Sequence, residues 1–411
     1  MPEFLELVPP GDALALLLRQ LSGAKIKSER VATQDALGRV TAVPVISPEP
    51  LPAFARSTVD GYAVRASDTF GAGESLPVYL SLAGEVAMGQ APQFALDPLQ
   101  AALIHTGGML PPGADAVVML EVTQMARPGE IEVMKAVAVS ENILQPGEDV
   151  RKGEEILPAG VRLRPAEIGG LMALGMTEVN AAVPPLVGIL SSGDEVISPQ
   201  STPLPGQVRD VNSFTLSALV EQSGGRPRRY GIIPDQESVL RETLEKAISE
   251  SDLVVITAGS SASARDLTAK VIRQMGAPGV LVHGVNVKPG KPTILAVCDG
   301  KVVIGLPGNP VSALIIAGIF VVPVIEKLLG LRSDRIRPAI SARLALNLAS
   351  QAGRDDWVPV RLVHSPSGYV AEPIFFKSNL IFTLAKADGL VHIPAAANGL
   401  SLGELVEVLL L

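Results

Sequence analysis

From residue 185 to residue 329 short apolar runs alternate with helix-like stretches, the order that builds a mostly parallel sheet with helices on its faces. Leu186-Val-Gly-Ile-Leu-Ser, Tyr230-Gly-Ile-Ile and Leu253-Val-Val-Ile read as buried strands because nearly every position is apolar. Between them the spacing predicts helices over 212–223 and 236–250, and a further helix is predicted over 267–275. The longest apolar run, 311–325, is interrupted by Ser312 and Pro323. It falls short of the roughly 20 residues a membrane span needs and reads as a buried helix. In such sheets ligands bind outside the carboxyl ends of the strands. Five loops follow that rule: 191–195, 234–235, 259–266, 288–291 and 305–312.

Three of these loops suit one anionic ligand. Ala258-Gly-Ser-Ser-Ala-Ser-Ala-Arg-Asp266 follows a strand, and its small residues let backbone N–H groups approach a phosphate. Val285-Asn-Val-Lys288-Pro-Gly-Lys291-Pro carries two ammonium groups on a loop stiffened by prolines. Val302-Val-Ile-Gly-Leu306-Pro-Gly-Asn-Pro310-Val-Ser312 ends a strand and opens the apolar helix, whose N-terminal dipole also favours anions. Asp194, Glu195 and Asp235 stand at other strand ends and suit a hard cation such as Mg²⁺. Each feature taken alone has a plainer reading. A Gly/Ser loop connects, loop lysines are solvated, Asp266 caps a helix, and Asp60-Gly61 makes a turn.

Outside this region the chain reads as three further segments. Residues 7–50 start with a predicted helix over 12–21 capped by Asp12, then continue in Pro-spaced extended chain that needs a neighbour. Residues 151–184 carry a helix over 165–174 with Pro165 in its first turn. Residues 51–150 show short alternating strands, and 331–411 reads as a small β domain without helices. With 411 residues and a net charge of −8, the chain is long enough for several cores, and its acidity argues against nucleic acid or an acidic membrane surface as a partner. The first residues lack a signal peptide's basic start and cleavage site. The single cysteine, Cys298, lies in an apolar run and reads as core. His105, His283, His364 and His392 show no metal-ligand spacing.

In combination and in order, the loop 258–266, Lys288-Pro-Gly-Lys291-Pro and Gly305-Leu-Pro-Gly-Asn-Pro-Val-Ser312 resemble the molybdopterin molybdenumtransferase (molybdenum insertase) family. Further matches are Ser57-Thr-Val-Asp60-Gly-Tyr-Ala63, Thr106-Gly-Gly through Asp115-Ala-Val-Val118, Gly147-Glu-Asp149, Ser192-Gly-Asp194-Glu195 and Gly231-Ile-Ile-Pro-Asp235. The resemblance implies a multidomain α/β protein. Its parts would be an extended domain (7–50 with 151–184), an inserted β domain (51–150), a molybdopterin-binding α/β domain (185–330) and a C-terminal β-barrel-like domain (331–411). It also implies an elongated homodimer with each site completed by the partner subunit, and an adenylyltransferase as a possible source of substrate, while the composition is consistent with a soluble cytoplasmic enzyme.

The activity implied is insertion of molybdenum from molybdate into adenylylated molybdopterin with release of AMP, assisted by Mg²⁺. By the same resemblance, Asp266, Lys288, Lys291, Asp60 and Asp149 are catalytic, and Glu195, Asp235 and Asp194 hold the metal. Substrate contacts are implied at Thr106, Gly259, Ser261, Ser263, Pro307, Gly308, Asn309 and Ser312, and in the C-terminal part at Ser378 and at Arg354 or Arg361. The chain departs from the family pattern at Ala258 and Ser263, where members carry glycine, and at Pro359, where many carry arginine. Alternatives of other classes are a non-catalytic scaffold of the same fold, an insertase for tungstate, and the adenylyltransferase, which normally needs the α/β domain alone.

Overall fold

The computed structural model describes residues 6–23, 25–258, 262–332, 338–375 and 377–411, apart from the side chains of 262–265. The central six-stranded sheet runs in the order Arg226–Ile233, Leu186–Ser192, Leu253–Ala258, Lys301–Pro307, Ile294–Cys298, Pro278–His283. The first four strands are parallel, Ile294–Cys298 runs antiparallel to them, and Pro278–His283, antiparallel to Ile294–Cys298, again runs in the direction of the first four. Burial on both faces explains the continuous apolar runs. Leu253, Val255, Val302 and Ile304 face one core, whereas Val254, Ile256 and Val303 face the other. Helices Asn212–Ser223 and Pro310–Leu328 cover the first face, and Glu237–Glu250 and Ala262–Ile272 cover the second. Helix Pro310–Leu328 is long and apolar enough to cross a membrane by composition alone, but Phe320, Val321 and Val324 are sealed in the core here.

The N-terminal helix differs from expectation in start, cap and place. It spans Pro10–Gln20, with Pro10 supplying the preset φ of a first turn and no side-chain cap. Asp12 sits inside that turn and interacts with the dipole. Although sequence groups it with the extended segment, Ala13, Leu17 and Leu21 bury in the α/β core beside Val282 and Leu295. The extended segment finds its neighbour in 155–182: Ser28–Ala32 pairs antiparallel with Glu178–Ala182, and Val45–Ile46 with Glu155–Leu157. Ala36, Val45, Leu163, Leu171 and Val179 form their shared core.

Residues 61–133 contribute a second six-stranded sheet with both faces covered, Tyr62 and Val64 on one side and Ala63 on the other. Gly61 is part of its strand Gly61–Val64 and not of a turn. A Cβ there would strike the carbonyl oxygen of Val118 on the neighbouring strand, so close strand approach is what requires the glycine.

The C-terminal strands Asp355–Ser365, Gly368–Pro373, Ala339–Leu344, Leu405–Leu410 and Gly389–Ile393 pair in that order, and the last pairs back with the first, closing a five-stranded barrel. Ala342, Val360, Ala371, Val391 and Val408 fill it. One short helix, Phe382–Ala385, interrupts a region expected to have none. Leu384 gives the reason, packing with Val311 and Ile315 of the long apolar helix.

Candidate functional site

The four parallel strands of the central sheet end on one edge, and from it emerge most of the loops singled out by sequence. After Leu186–Ser192 come Asp194 and Glu195, and after Arg226–Ile233 comes Asp235. Ser192 Oγ donates to Asp235 Oδ1 at 3.3 Å, and the backbone N–H of Asp235 donates to Asp194 Oδ1 at 3.1 Å. Burial pushes the Asp235 carboxyl above its ordinary pKa. The Ser192 hydroxyl opposes that shift, and the charges of Asp194 and Glu195 add to it. Among the described residues no three His, Cys, Asp or Glu side chains stand close enough to form a metal cage by themselves.

The cationic side of the edge is assembled from two parts of the fold. Strand Val287–Lys288 pairs parallel with the start of the first barrel strand, Val287 with Asp355 and Lys288 with Asp356. Asp356 is buried, with its side chain only 5% exposed. It accepts from Arg354 Nε at 2.7 Å and from Arg354 Nη2 at 3.0 Å, and Lys288 Nζ stands 4.0 Å from its Oδ2. Lys291 is exposed at the far end of the same loop. Between the lysines, Gly290 has φ +114° and lies against Ile316 of the long helix, where a Cβ would overlap the Ile316 side chain. Pro307 ends its strand, and Asn309 stands at the N-terminus of helix Pro310–Leu328 without capping it. The Asn309 amide donates instead to Ser378 Oγ at 2.9 Å, and the Val311 N–H donates to the Ser378 carbonyl at 3.0 Å. Ser312 is buried in the first turn.

The two candidate arginines of the barrel separate clearly. Arg354 joins the Lys288 cluster. Arg361 projects from the middle of the strand, 62% exposed, and among the described residues pairs only with Glu372 on the adjacent strand, at 2.7 Å.

Asp60 and Thr106 meet in the second sheet. The Thr106 N–H donates to Asp60 Oδ1 at 2.8 Å and its hydroxyl at 3.3 Å, while His105 Nδ1 stands 3.6 Å away. The Thr106 N–H bond holds the exposed Asp60 carboxyl below its usual range, helped by the Thr106 hydroxyl and by His105. Asp149 is exposed in a loop tied to Leu51 through its backbone N–H. No hydrogen bond or ion pair among the described residues links Asp60, Thr106 or Asp149 to residues 185–330. Gly259 and Ser261 lie outside the described residues, as do the side chains of Ser263 and Arg265. Asp266 is exposed and lies inside helix Ala262–Ile272, which starts earlier than predicted, so it is not the N-cap that local reading suggested.

The MoeA N-terminal region (domains I and II) matches residues 8–175, a probable molybdopterin binding domain matches 188–327, and the MoeA C-terminal region (domain IV) matches 341–411. A putative molybdopterin biosynthesis protein of Methanocaldococcus jannaschii is 34% identical, over 98% of this chain and 98% of its own. A molybdopterin molybdenumtransferase of Nostoc is 33% identical, over 91% of this chain and 86% of its own. The chain belongs to the molybdopterin molybdenumtransferase family. The solved molybdopterin biosynthesis MoeA protein of Pyrococcus horikoshii is 34% identical and superposes with a TM-score of 0.86, covering 99% of this chain and all of that one. The chain is thus a molybdopterin molybdenumtransferase by family, with a role in molybdenum cofactor biosynthesis.

Within this molybdopterin molybdenumtransferase, three polar residues at the edge escaped the sequence reading. Asp210 is buried and accepts from Ser191 Oγ at 3.1 Å, Ser213 N–H at 3.1 Å and Ser213 Oγ at 2.6 Å, capping helix Asn212–Ser223. Asn212 Nδ2 donates to the Gly308 carbonyl at 2.7 Å, which fixes the loop before the long helix. Its buried Oδ1 has no partner among the described residues. A signal for both was present, since Asp210-Val-Asn-Ser immediately precedes a helical pattern. Asp356 had no such signal, because only the pairing of two distant strands brings it to Lys288.

Proposed function

We propose that this molybdopterin molybdenumtransferase inserts molybdenum from molybdate into the dithiolene of adenylylated molybdopterin and releases AMP. The observation that carries this reading is the gathering of Lys288, on the loop that also bears Lys291, and Arg354, from the barrel, around one buried carboxylate. Fixed cations and N–H donors stabilise oxyanions without reorganising. In this reading Arg354, Lys288, Lys291 and Ser378 receive molybdate and the pterin phosphate. Pro307, Gly308, Asn309, Ser312 and the loop 259–263 bind the pterin side. Asp266 acts at the same loop.

For the divalent cation the donor set fits: Asp235 carries a carboxyl that burial and two neighbouring carboxylates make unfavourable as an anion, which a hard cation would relieve. Asp235 and Glu195, with Asp194, would hold Mg²⁺. The ion would supply charge neutralisation to the phosphates of the substrate. Among the described residues no hydrogen bond or ion pair ties Asp60, Thr106 or Asp149 to the edge, which supports a homodimer in which the partner subunit presents them to it. We place the activity in the cytoplasm, with an adenylyltransferase delivering substrate.

The test is AMP release and cofactor formation from adenylylated molybdopterin with Mg²⁺, with and without molybdate. Molybdate-dependent turnover is expected. Tight pterin binding without turnover would overturn the reading in favour of a scaffold, and turnover with tungstate alone would reassign the oxyanion.

A further inference from the structure

We propose that Asp356 is a positioning residue for the oxyanion, holding Arg354 from the barrel and Lys288 from the α/β region at one spacing. The inference rests on the assignment of those two cations to the oxyanion. Strand alternation shows how the position arises. Val358, Val360 and Leu362 pack toward the barrel core, and Asp356 ends their row where Val287–Lys288 joins the sheet. The opposite row is anchored without it: Asp355 takes a 2.6 Å bond from His392 Nε2, and Trp357 stacks on the His392 ring at 4.5 Å between centroids. The end of the strand is therefore held independently of Asp356.

Asp356 engages the guanidinium through Nε and Nη2, and Arg354 Nη1 makes no hydrogen bond among the described residues, so that edge keeps donors for a ligand. Lys288 Nζ, at 4.0 Å, is near enough for attraction but beyond hydrogen-bond length, and its side chain is 62% exposed. One buried carboxylate thus holds together two cations that would otherwise repel each other, and leaves a net positive charge facing solvent. A carboxylate that served only the barrel would need neither Lys288 beside it nor a free guanidinium edge.

The experiment measures kcat and the KM for molybdate in the intact protein for Asp356→Asn, Arg354→Ala and the double variant. Asp356→Asn is expected to raise the molybdate KM about tenfold while kcat stays within about twofold. In the Arg354→Ala background the same change is expected to add much less, because its effect runs through Arg354. An unchanged KM in Asp356→Asn, with a raised one in Arg354→Ala, would overturn the inference and leave the oxyanion assignment standing. Unchanged KM in both would sink the assignment itself. Effects that multiply in the double variant would mean general destabilisation and also overturn the inference. If Asp356→Asn does not fold, Asp356→Glu keeps the charge and shifts it by one methylene. A raised molybdate KM at constant kcat then supports positioning, and an unchanged KM overturns it.

Discussion

Asp356 is buried and Asp235 half-buried in the candidate site, and their charge environments are opposite. Asp356 sits between a guanidinium and an ammonium, each from a different part of the fold. Asp235 sits beside Asp194 and Glu195, and among the described residues the groups that set its charge include no cation. One end pairs its buried carboxylate with two cations and keeps positive charge to spare, whereas at the other burial, and then the like charges of its neighbours, disfavour the Asp235 anion. The difference teaches that the polarity of the site is set by which segment docks at each end. At the cationic end the barrel closes over the lysine loop. At the acidic end two strand-end loops of the same sheet meet each other.

The widest gap in activity is expected between two arginines of one strand. Arg354→Ala should lower kcat/KM for molybdate about 100-fold, the usual loss for one oxyanion donor. Arg361→Ala should leave it within about twofold, because its exposed pair with Glu372 is of the kind worth little. Equal losses in steady-state assays would break the distinction between the strand's end and its middle. Gly290→Ala attacks the cationic end through its backbone. The new methyl meets Ile316 and the residue must hold φ +114°, so destabilisation of about 1–3 kcal/mol is expected in urea unfolding. Unchanged stability would mean that the lysine loop is not seated on the long helix.

At the acidic end the expected effect is smallest. The Asp235 pKa is raised in the folded protein above its ordinary 3.8, so the folded state binds the proton more readily than the unfolded one. Its penalty is therefore present above the raised value and vanishes as pH falls below 3.8. Asp235→Asn should stabilise at pH 7 by less than about 0.5 kcal/mol, because solvent screens a partly exposed group, and the gain should shrink on acidification. Added Mg²⁺ should raise the thermal midpoint of the unaltered protein more than that of the variant. A gain that grows at low pH would contradict the charge environment described for Asp235.

Much of this is legible in the sequence. The continuous apolar runs of 186–191 and 253–256 required burial on both faces, and the loops placed at strand ends lie on one edge because parallel strands share a direction. The short helix Phe382–Ala385 was not legible, because four residues carry no periodicity and only contact with the long helix stabilises them. Nor was the place of helix Pro10–Gln20. Its apolar face was visible, but amphipathicity says that a face is buried and not against what.

The sequence by itself determined the family, the alternation of strand and helix, and the loops that bear Lys288, Lys291, Asp194 and Asp235, since these depend on local pattern and order along the chain. Only the tertiary structure decided that Arg354 and not Arg361 joins Lys288, that Asp356 stands between the two, and that Asn309 reaches Ser378. Each is a contact across many tens of residues. It is fixed by the register in which Val287–Lys288 pairs with the barrel and by the packing of Leu384 and Leu390 against the long helix, and no local preference encodes a register between segments so far apart.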